Sequence, residues 1–326
     1  MTLMKYTARE TVFQGYNTCR LECQDAELAA EFVPSAGMVG VSLTHRGDEL
    51  LVLGKTLREY VEGGGTLGIP FLHPWGNRLG SDTYQFDGTE VDLGPITSLV
   101  ARDPNGLPIH GLAPGRKAWT IQEFQGGHTC ARLVTTLDWN MNSVTFAGFP
   151  FAHRLEHVVT LAGTASGAGL SIETTVTATG PKRVPVVFGW HPYFQLPGVE
   201  RDDWIVNAPV GRRYALNEKS LPTGERTAVT LEKGRLGGQV YDDVFDDLKS
   251  TAGGQTGFTL AGGGRTIEVR FEVGYGYAIV WAPEGRDLIC FEPMTAPTNA
   301  LTTGWPALTT LAPGESYLAR FAILVT

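Results

Sequence analysis

A chain of 326 residues that is 42% hydrophobic and only 18% charged can bury a large core, which excludes the disordered class. Its formal net charge is −8 and it contains no basic run. Nucleic-acid backbones and anionic lipid surfaces are gripped by clustered Lys and Arg, so neither is an expected partner.

The opening Met1-Thr2-Leu3-Met4-Lys5-Tyr6 lacks the charged-then-apolar pattern of a signal peptide. No apolar stretch approaches the roughly 20 residues of a membrane-spanning helix, and the expectation is a cytoplasmic protein. Cys19 and Cys23 are close in sequence while Cys130 and Cys290 are isolated, which gives neither a dense disulfide framework nor paired-cysteine zinc half-sites. Buried free thiols are expected.

In chain order, short β-rich runs broken by Gly and Pro predict strands over 37–43, 49–53, 118–123, 131–137, 170–178, 266–273, 277–281, 288–291 and 317–325. The 41 Gly and 19 Pro fit an all-β chain, since each reversal needs residues that tolerate turn backbone angles. Two stretches carry helical composition, 25–32 and 56–61, and a short helix at 56–61 is the stronger expectation. Ser166-Gly167-Ala168-Gly169 and Gly253-Gly254 are short enough to be hairpin turns, and composition does not shift across them. Residues 1–326 therefore read as one domain, without a repeat period.

Chemistry-bearing residues cluster along this frame. His191 lies in the aromatic stretch Phe188-Gly189-Trp190-His191-Pro192-Tyr193-Phe194, and histidine is the side chain whose proton is exchangeable near neutrality. In Pro70-Phe71-Leu72-His73-Pro74-Trp75-Gly76-Asn77-Arg78, the guanidinium of Arg78 suits hydroxyl or acid oxygens and Trp75 offers a flat apolar face for a sugar. Flanking Gly and Pro place His110 on an irregular segment. Tyr241-Asp242-Asp243-Val244-Phe245-Asp246-Asp247 is rich in carboxylates but lacks the spacing of a calcium loop. Glu292 ends an apolar run and Pro293 is expected to stop the ladder there, leaving the carboxylate at a strand end where burial would raise its pKa.

His153-Arg154-Leu155-Glu156-His157 matches the H-x-x-E-H zinc-peptidase pattern, which requires a helix. Here Val158-Val159-Thr160-Leu161 follows, so the local signal is strand, which separates the two histidines by roughly 13 Å of rise. No metal site is expected.

The order of these sites is more specific than any member: Asn77-Arg78, His110-Gly111, Gly148-Phe149-Pro150, His191-Pro192-Tyr193-Phe194, Asp242, then Glu292-Pro293. It resembles the aldose 1-epimerase, or galactose mutarotase, family across nearly the whole chain. The resemblance implies a large, mainly antiparallel β-supersandwich with a few short helices and a sugar in an open cleft. It also implies His191 as the acid on the ring oxygen, Glu292 as the base on the anomeric hydroxyl and His110 as a second donor. Arg78, Asn77, Asp242, Trp75 and Tyr193 become the expected substrate contacts, with Asp242 preferred to Asp243 because the family Asp lies three residues before a Phe, here Phe245.

Interconverting anomers requires a proton to leave the anomeric hydroxyl while another reaches the ring oxygen. A carboxylate and an imidazolium suffice, each contributing about 10²–10⁴ in rate, and no cofactor is required. The expected partner is a monosaccharide, and the chain is expected to be a monomer or homodimer.

His-Pro-Trp-Gly before Asn77, Trp190 before His191, the single Gly after His110 and Gln195 depart from the galactose-specific pattern and mark a divergent, bacterial-type branch. A hexose-6-phosphate epimerase would need extra cations, for which Arg102, Arg116 and Lys117 are the candidates. A sugar-binding module of the same fold is the non-catalytic alternative. A glycosidase would instead place Glu292 and Asp242 at about 5–5.5 Å or about 6.5–9.5 Å.

Overall fold

The computed structural model describes residues 5–165, 167–251 and 253–326. Strands dominate it, and the ladders of its sheets are antiparallel. Tyr6–Phe13, Tyr16–Cys23, Leu28–Val33, Val39–His45 and Asp48–Glu49 form a five-stranded meander in sequence order. A nine-stranded sheet runs Gly234–Arg235, Ile205–Asn207, Thr256–Gly262, Arg265–Val273, Ser316–Val325, Gly167–Ala178, His153–Thr164, Cys130–Trp139 and Thr120–Gln125. An eight-stranded sheet runs Pro222–Ala228, Arg212–Leu216, Tyr241–Asp246, Tyr277–Ala282, Ile289–Met294, Gly189–Trp190 and Phe71–Leu72, with Tyr193–Phe194 also on Ile289–Met294.

Period-2 alternation explains how these sheets close on one core. Along His153–Thr164 the residues Leu155, Val159 and Leu161 are fully buried, and along Arg265–Val273 Ile267 and Val269 are too. They meet Phe32 from the first sheet and Phe245, Val280, Ile289 and Phe291 from the eight-stranded sheet in one cluster that extends from Tyr6 to Val325. Burying each large side chain contributes roughly 1.5–3 kcal/mol before conformational entropy is subtracted.

The expected strands over 131–137, 170–178, 266–273, 277–281 and 317–325 all lie inside observed ones. The 49–53 stretch is strand only at Asp48–Glu49, followed by an isolated bridge from Leu51 to Phe194. The first hairpin was not among the expectations, although Gln14 and Gly15, with φ of 48° and 86°, supply the left-handed turn that such a hairpin uses.

The helix expected at 56–61 is present as Leu57–Gly63. Thr56 and Glu59 form a reciprocal capping box, Glu59 N–H donating to Thr56 Oγ1 and Thr56 N–H donating to Glu59 Oε2. The other helical candidate, 25–32, is mostly strand, because Leu28, Ala30 and Phe32 face the core between two neighbouring strands. Among the described residues no helix is long and apolar enough to cross a membrane.

His153 and His157 lie in a strand, and both are fully buried. His153 Nε2 meets His73 Nε2 at 2.9 Å, while the His157 ring stacks on Trp119 with centroids 4.0 Å apart. The zinc-peptidase geometry is absent from this segment.

Candidate active site

The site forms on the face of the eight-stranded sheet that points away from the core. In Ile289–Met294, Ile289 and Phe291 enter the core, while Cys290 and Glu292 face the other way. Across the ladder Ile279 is opposite Glu292, Trp281 is opposite Cys290, and Asp242 is opposite Trp281. Trp281, Asp242 and Glu292 therefore line one cleft. Asp243 turns to the opposite face, where its carboxylate lies 3.7 Å from Arg213.

Pro293 does not end the ladder as its sequence position suggested. It lies within the strand opposite Ala278, so Glu292 sits in a strand interior and is 1% exposed. The break falls on the neighbouring chain instead. Gly189–Trp190 and Tyr193–Phe194 both pair with Ile289–Met294, and the intervening His191-Pro192 leaves the ladder. His191 thereby reaches Glu292, with Nε2 3.2 Å from Oε1.

Two irregular segments complete the wall. His110 N–H donates to the Asn77 carbonyl at 2.9 Å, and Leu79 N–H donates to the Pro108 carbonyl at 2.9 Å. Asn77 and His110 both take positive φ, 53° and 63°. Gly111 follows at φ 75°, and a Cβ there would stand 2.2 Å from the His73 carbonyl oxygen, so only glycine lets the segments close. His110 then lies edge-on to His191, with ring centroids 5.3 Å apart.

Arg78 is held from behind. Its Nε donates to Asp103 Oδ2 at 2.8 Å and its Nη1 to Asn77 Oδ1 at 3.2 Å, leaving Nη2 3.6 Å from Asp242 Oδ2. Tyr193 stacks on His191 with rings 4.4 Å apart, and its hydroxyl lies 3.4 Å from His191 Nε2 and also bonds Thr66.

Burial controls protonation here. The Glu292 carboxyl is raised well above its ordinary range by burial first, then by the charge of Asp242, with Arg78 opposing. His191 is pushed well below its ordinary value by burial and then by His110. Both groups thus resist carrying charge, and their 3.2 Å contact keeps one transferable proton between them. His110 is pushed down to about 3 by burial and then by Arg78, so it is a neutral imidazole at neutral pH. His191 Nδ1, His110 Nδ1 and Glu292 Oε2 have no hydrogen-bond partner among the described residues.

The cleft, about 320 Å³, is also lined by Leu53, Gly54, Lys55, Thr66, Ile109 and Arg286. That volume is near the lower end of ordinary ligand sites and suits a monosaccharide. Of the expected site residues, the structure brings together His191, Glu292, His110, Arg78, Asn77, Asp242 and Tyr193. Trp75 is the exception and is corrected here. It is 1% exposed and packs within the main core, so it offers no face to the cleft. The aromatic wall comes from Trp281, which the alternation of Ala278 and Val280 into the core could have revealed.

Arg102, Arg116 and Lys117 do not line the cleft. Arg102 pairs with Asp82, Arg116 donates to the Leu99 carbonyl and Lys117 donates to Ser143. Lys55, Thr66 and Arg286 carried no sequence signal, since they arrive through loops packed by tertiary contacts.

Known proteins bear on this arrangement. Residues 33–324 match the family model described as aldose 1-epimerase. A relative from Escherichia coli (strain K12), the uncharacterized protein YihR, is 25% identical over 236 residues, covering 72% of this chain and 71% of that one. The crystal structure of a galactose mutarotase-like protein from Clostridium acetobutylicum superposes with a TM-score of 0.84 at 19% identity, covering 98% of each chain. That of galactose 1-epimerase from Lactobacillus acidophilus NCFM gives 0.73 at 15% identity, covering 100% of this chain and 99% of that one. The fold is galactose mutarotase-like, and the chain belongs to the aldose 1-epimerase family.

Proposed function

We propose that this protein is an aldose 1-epimerase that interconverts the α and β anomers of an aldohexose such as galactose or glucose. The observation that carries the reading is the buried His191–Glu292 contact of 3.2 Å in the wall of a polar cleft, with His110 beside it.

With the shared proton on His191, the Glu292 carboxylate takes the proton of the anomeric hydroxyl while the His191 imidazolium delivers its own to the ring oxygen. The bond between C1 and the ring oxygen breaks, giving the open-chain aldehyde. Rotation about C1–C2 presents the other carbonyl face, and reclosure returns both protons with the two groups exchanging roles. The ring oxygen develops charge during this step, and His110 is close enough to His191 to share its stabilisation. Arg78, anchored by Asp103, and Asp242 supply a donor and an acceptor for sugar hydroxyls. By this reading the protein acts on a small sugar and needs no cofactor.

The paired imidazoles also favour this reading over a two-carboxylate glycosidase, because the partner in direct contact with Glu292 is His191. The test is anomer exchange, followed by polarimetry on freshly dissolved α-D-glucose and α-D-galactose and by NMR exchange on their 6-phosphates. Acceleration lost in folded Glu292→Gln and His191→Asn is the expected result. No acceleration on any of the four sugars would overturn the epimerase reading and favour a binding module.

A further inference from the structure

Two cations at the cleft have no part in the chemistry above. Lys55 and Arg286 both line it, and among the described residues no carboxylate lies within 4.0 Å of either. The Lys55 ammonium donates to the Gly64 carbonyl at 3.3 Å, and the Arg286 guanidinium lies over the Trp281 ring, 5.8 Å from its centroid. In a chain of net charge −8, two cations turned into one cleft call for a ligand. Arg78, by contrast, is matched by Asp103 and Asp242.

Arg286 approaches the backbone at Gly54, whereas Lys55 carries its ammonium to Gly64 and Gly65. Lys55 follows Gly54 directly, and a Cβ at Gly54 would stand 3.2 Å from Arg286 Nη2. Gly54 lies at φ +72°, exposed and itself lining the cleft, so it sets no side chain against the Arg286 guanidinium. Lys and Arg only donate hydrogen bonds. A sugar hydroxyl is served as well by neutral groups, whereas a pair of unmatched donors of like charge is suited to an oxyanion.

Their position also distinguishes one side of the sugar. Arg286 lies over Trp281, and that ring stands edge-on to both His191 and Tyr193, with centroids 5.9 and 5.8 Å apart. Lys55 bonds Gly64, which lines a smaller hollow together with His110. Both cations therefore border the imidazoles. If His191 serves the ring oxygen and Glu292 the hydroxyl on C1, the cations are left to the other neighbour of that oxygen, C5, which in an aldohexopyranose carries C6.

We infer that Lys55 and Arg286 form a subsite for an oxyanion on C6 of the substrate: a phosphate, sulfate or carboxylate. This rests on the epimerase reading and refines its substrate class from a neutral hexose to an anionic one.

The experiment measures anomer exchange by proton NMR exchange spectroscopy at low salt for glucose, glucose 6-phosphate, glucose 6-sulfate and glucuronate. It uses wild type, Lys55→Gln, Arg286→Gln and the double variant. The expected result is at least a tenfold higher kcat/KM for one of the anionic sugars than for glucose, weakening as salt rises. In the double variant that ratio falls at least tenfold, and the three anions rank their headgroups against one another.

A wild-type preference for glucose, or a ratio that persists in the double variant, would overturn the inference. If no sugar is turned over, the epimerase reading fails, and quenching of Trp fluorescence by glucose 6-phosphate decides the anion subsite separately. Quenching abolished by the double variant supports the subsite, and quenching absent in wild type or unchanged in the variant overturns it.

Discussion

Two clusters of histidines lie inside this molecule, and burial treats them alike. In the cleft, His110 and His191 are held neutral; in the core behind it, so are His73, His153 and His157, with His153 pushed down to about 4 and His157 to about 3, in both by burial first. What differs is the company. His191 touches a carboxyl, Glu292, and opens on a cleft, whereas His153 touches another imidazole and His157 lies among Phe71, Trp119 and Trp190. A depressed histidine therefore does not by itself mark a reactive site; a second group that can exchange its proton, and access for a substrate, are what set the two regions apart.

That contrast can be broken by substitution. The largest expected effect is at Glu292→Gln, which keeps the shape but removes the proton-exchanging partner. Anomer exchange should fall about 10²–10⁴-fold, equivalent to roughly 3–5 kcal/mol, with little change in the urea midpoint. A midpoint that collapsed along with activity would put Glu292 in a structural role like that of the core histidines.

Next is the core, read by acid unfolding. A histidine buried neutral takes up its proton readily when unfolded, near 6.5, but only at about 4 for His153 and about 3 for His157 when folded. Stability is therefore fully present above about 6.5 and declines as pH drops toward these values, by up to about 1.4 kcal/mol per pH unit for each group. His157→Phe should flatten the slope of unfolding free energy between about pH 6 and 4 by close to one proton, while leaving anomer exchange at neutral pH largely intact. An unchanged slope from urea titrations at stepped pH would show that His157 is not one of the groups responsible.

Smaller effects sharpen the cleft side. Asp103→Asn weakens the anchor of Arg78, a charged hydrogen bond worth about 1.5–3 kcal/mol, and should raise KM roughly tenfold or more with a lesser change in kcat. An effect confined to kcat would indicate that Arg78 serves the reaction step instead of sugar binding. Tyr193→Phe removes the hydroxyl that links Thr66 to His191, at about 1 kcal/mol. It should reduce kcat about fivefold and displace its pH profile; a change in KM alone would assign Tyr193 to the sugar.

Much of the strand pattern was readable because alternation is local. Leu155, Val159 and Leu161, or Ile267 and Val269, announce which face is buried without any knowledge of the partner strand. The helix at Leu57–Gly63 was readable from composition, and its Thr56–Glu59 cap is encoded within a few residues. His191, Glu292, His110, Arg78 and Asp242 stood out through motifs whose order along the chain survives divergence. Trp75 was misread because its direction depends on a core assembled from distant strands, and Pro293 because whether a proline interrupts pairing depends on its neighbours in the ladder.

The sequence by itself determined that this is an all-β chain, where most of its central strands lie, and which side chains could exchange protons, since these follow from local periodicity and side-chain chemistry. Tertiary structure alone decided that His191 meets Glu292 where the adjoining strand breaks, that Asp242 and not Asp243 faces the cleft, and that Lys55 and Arg286 turn into it. Each depends on register and loop packing between segments far apart in the chain, where a shift of one residue would reverse the face that every side chain presents.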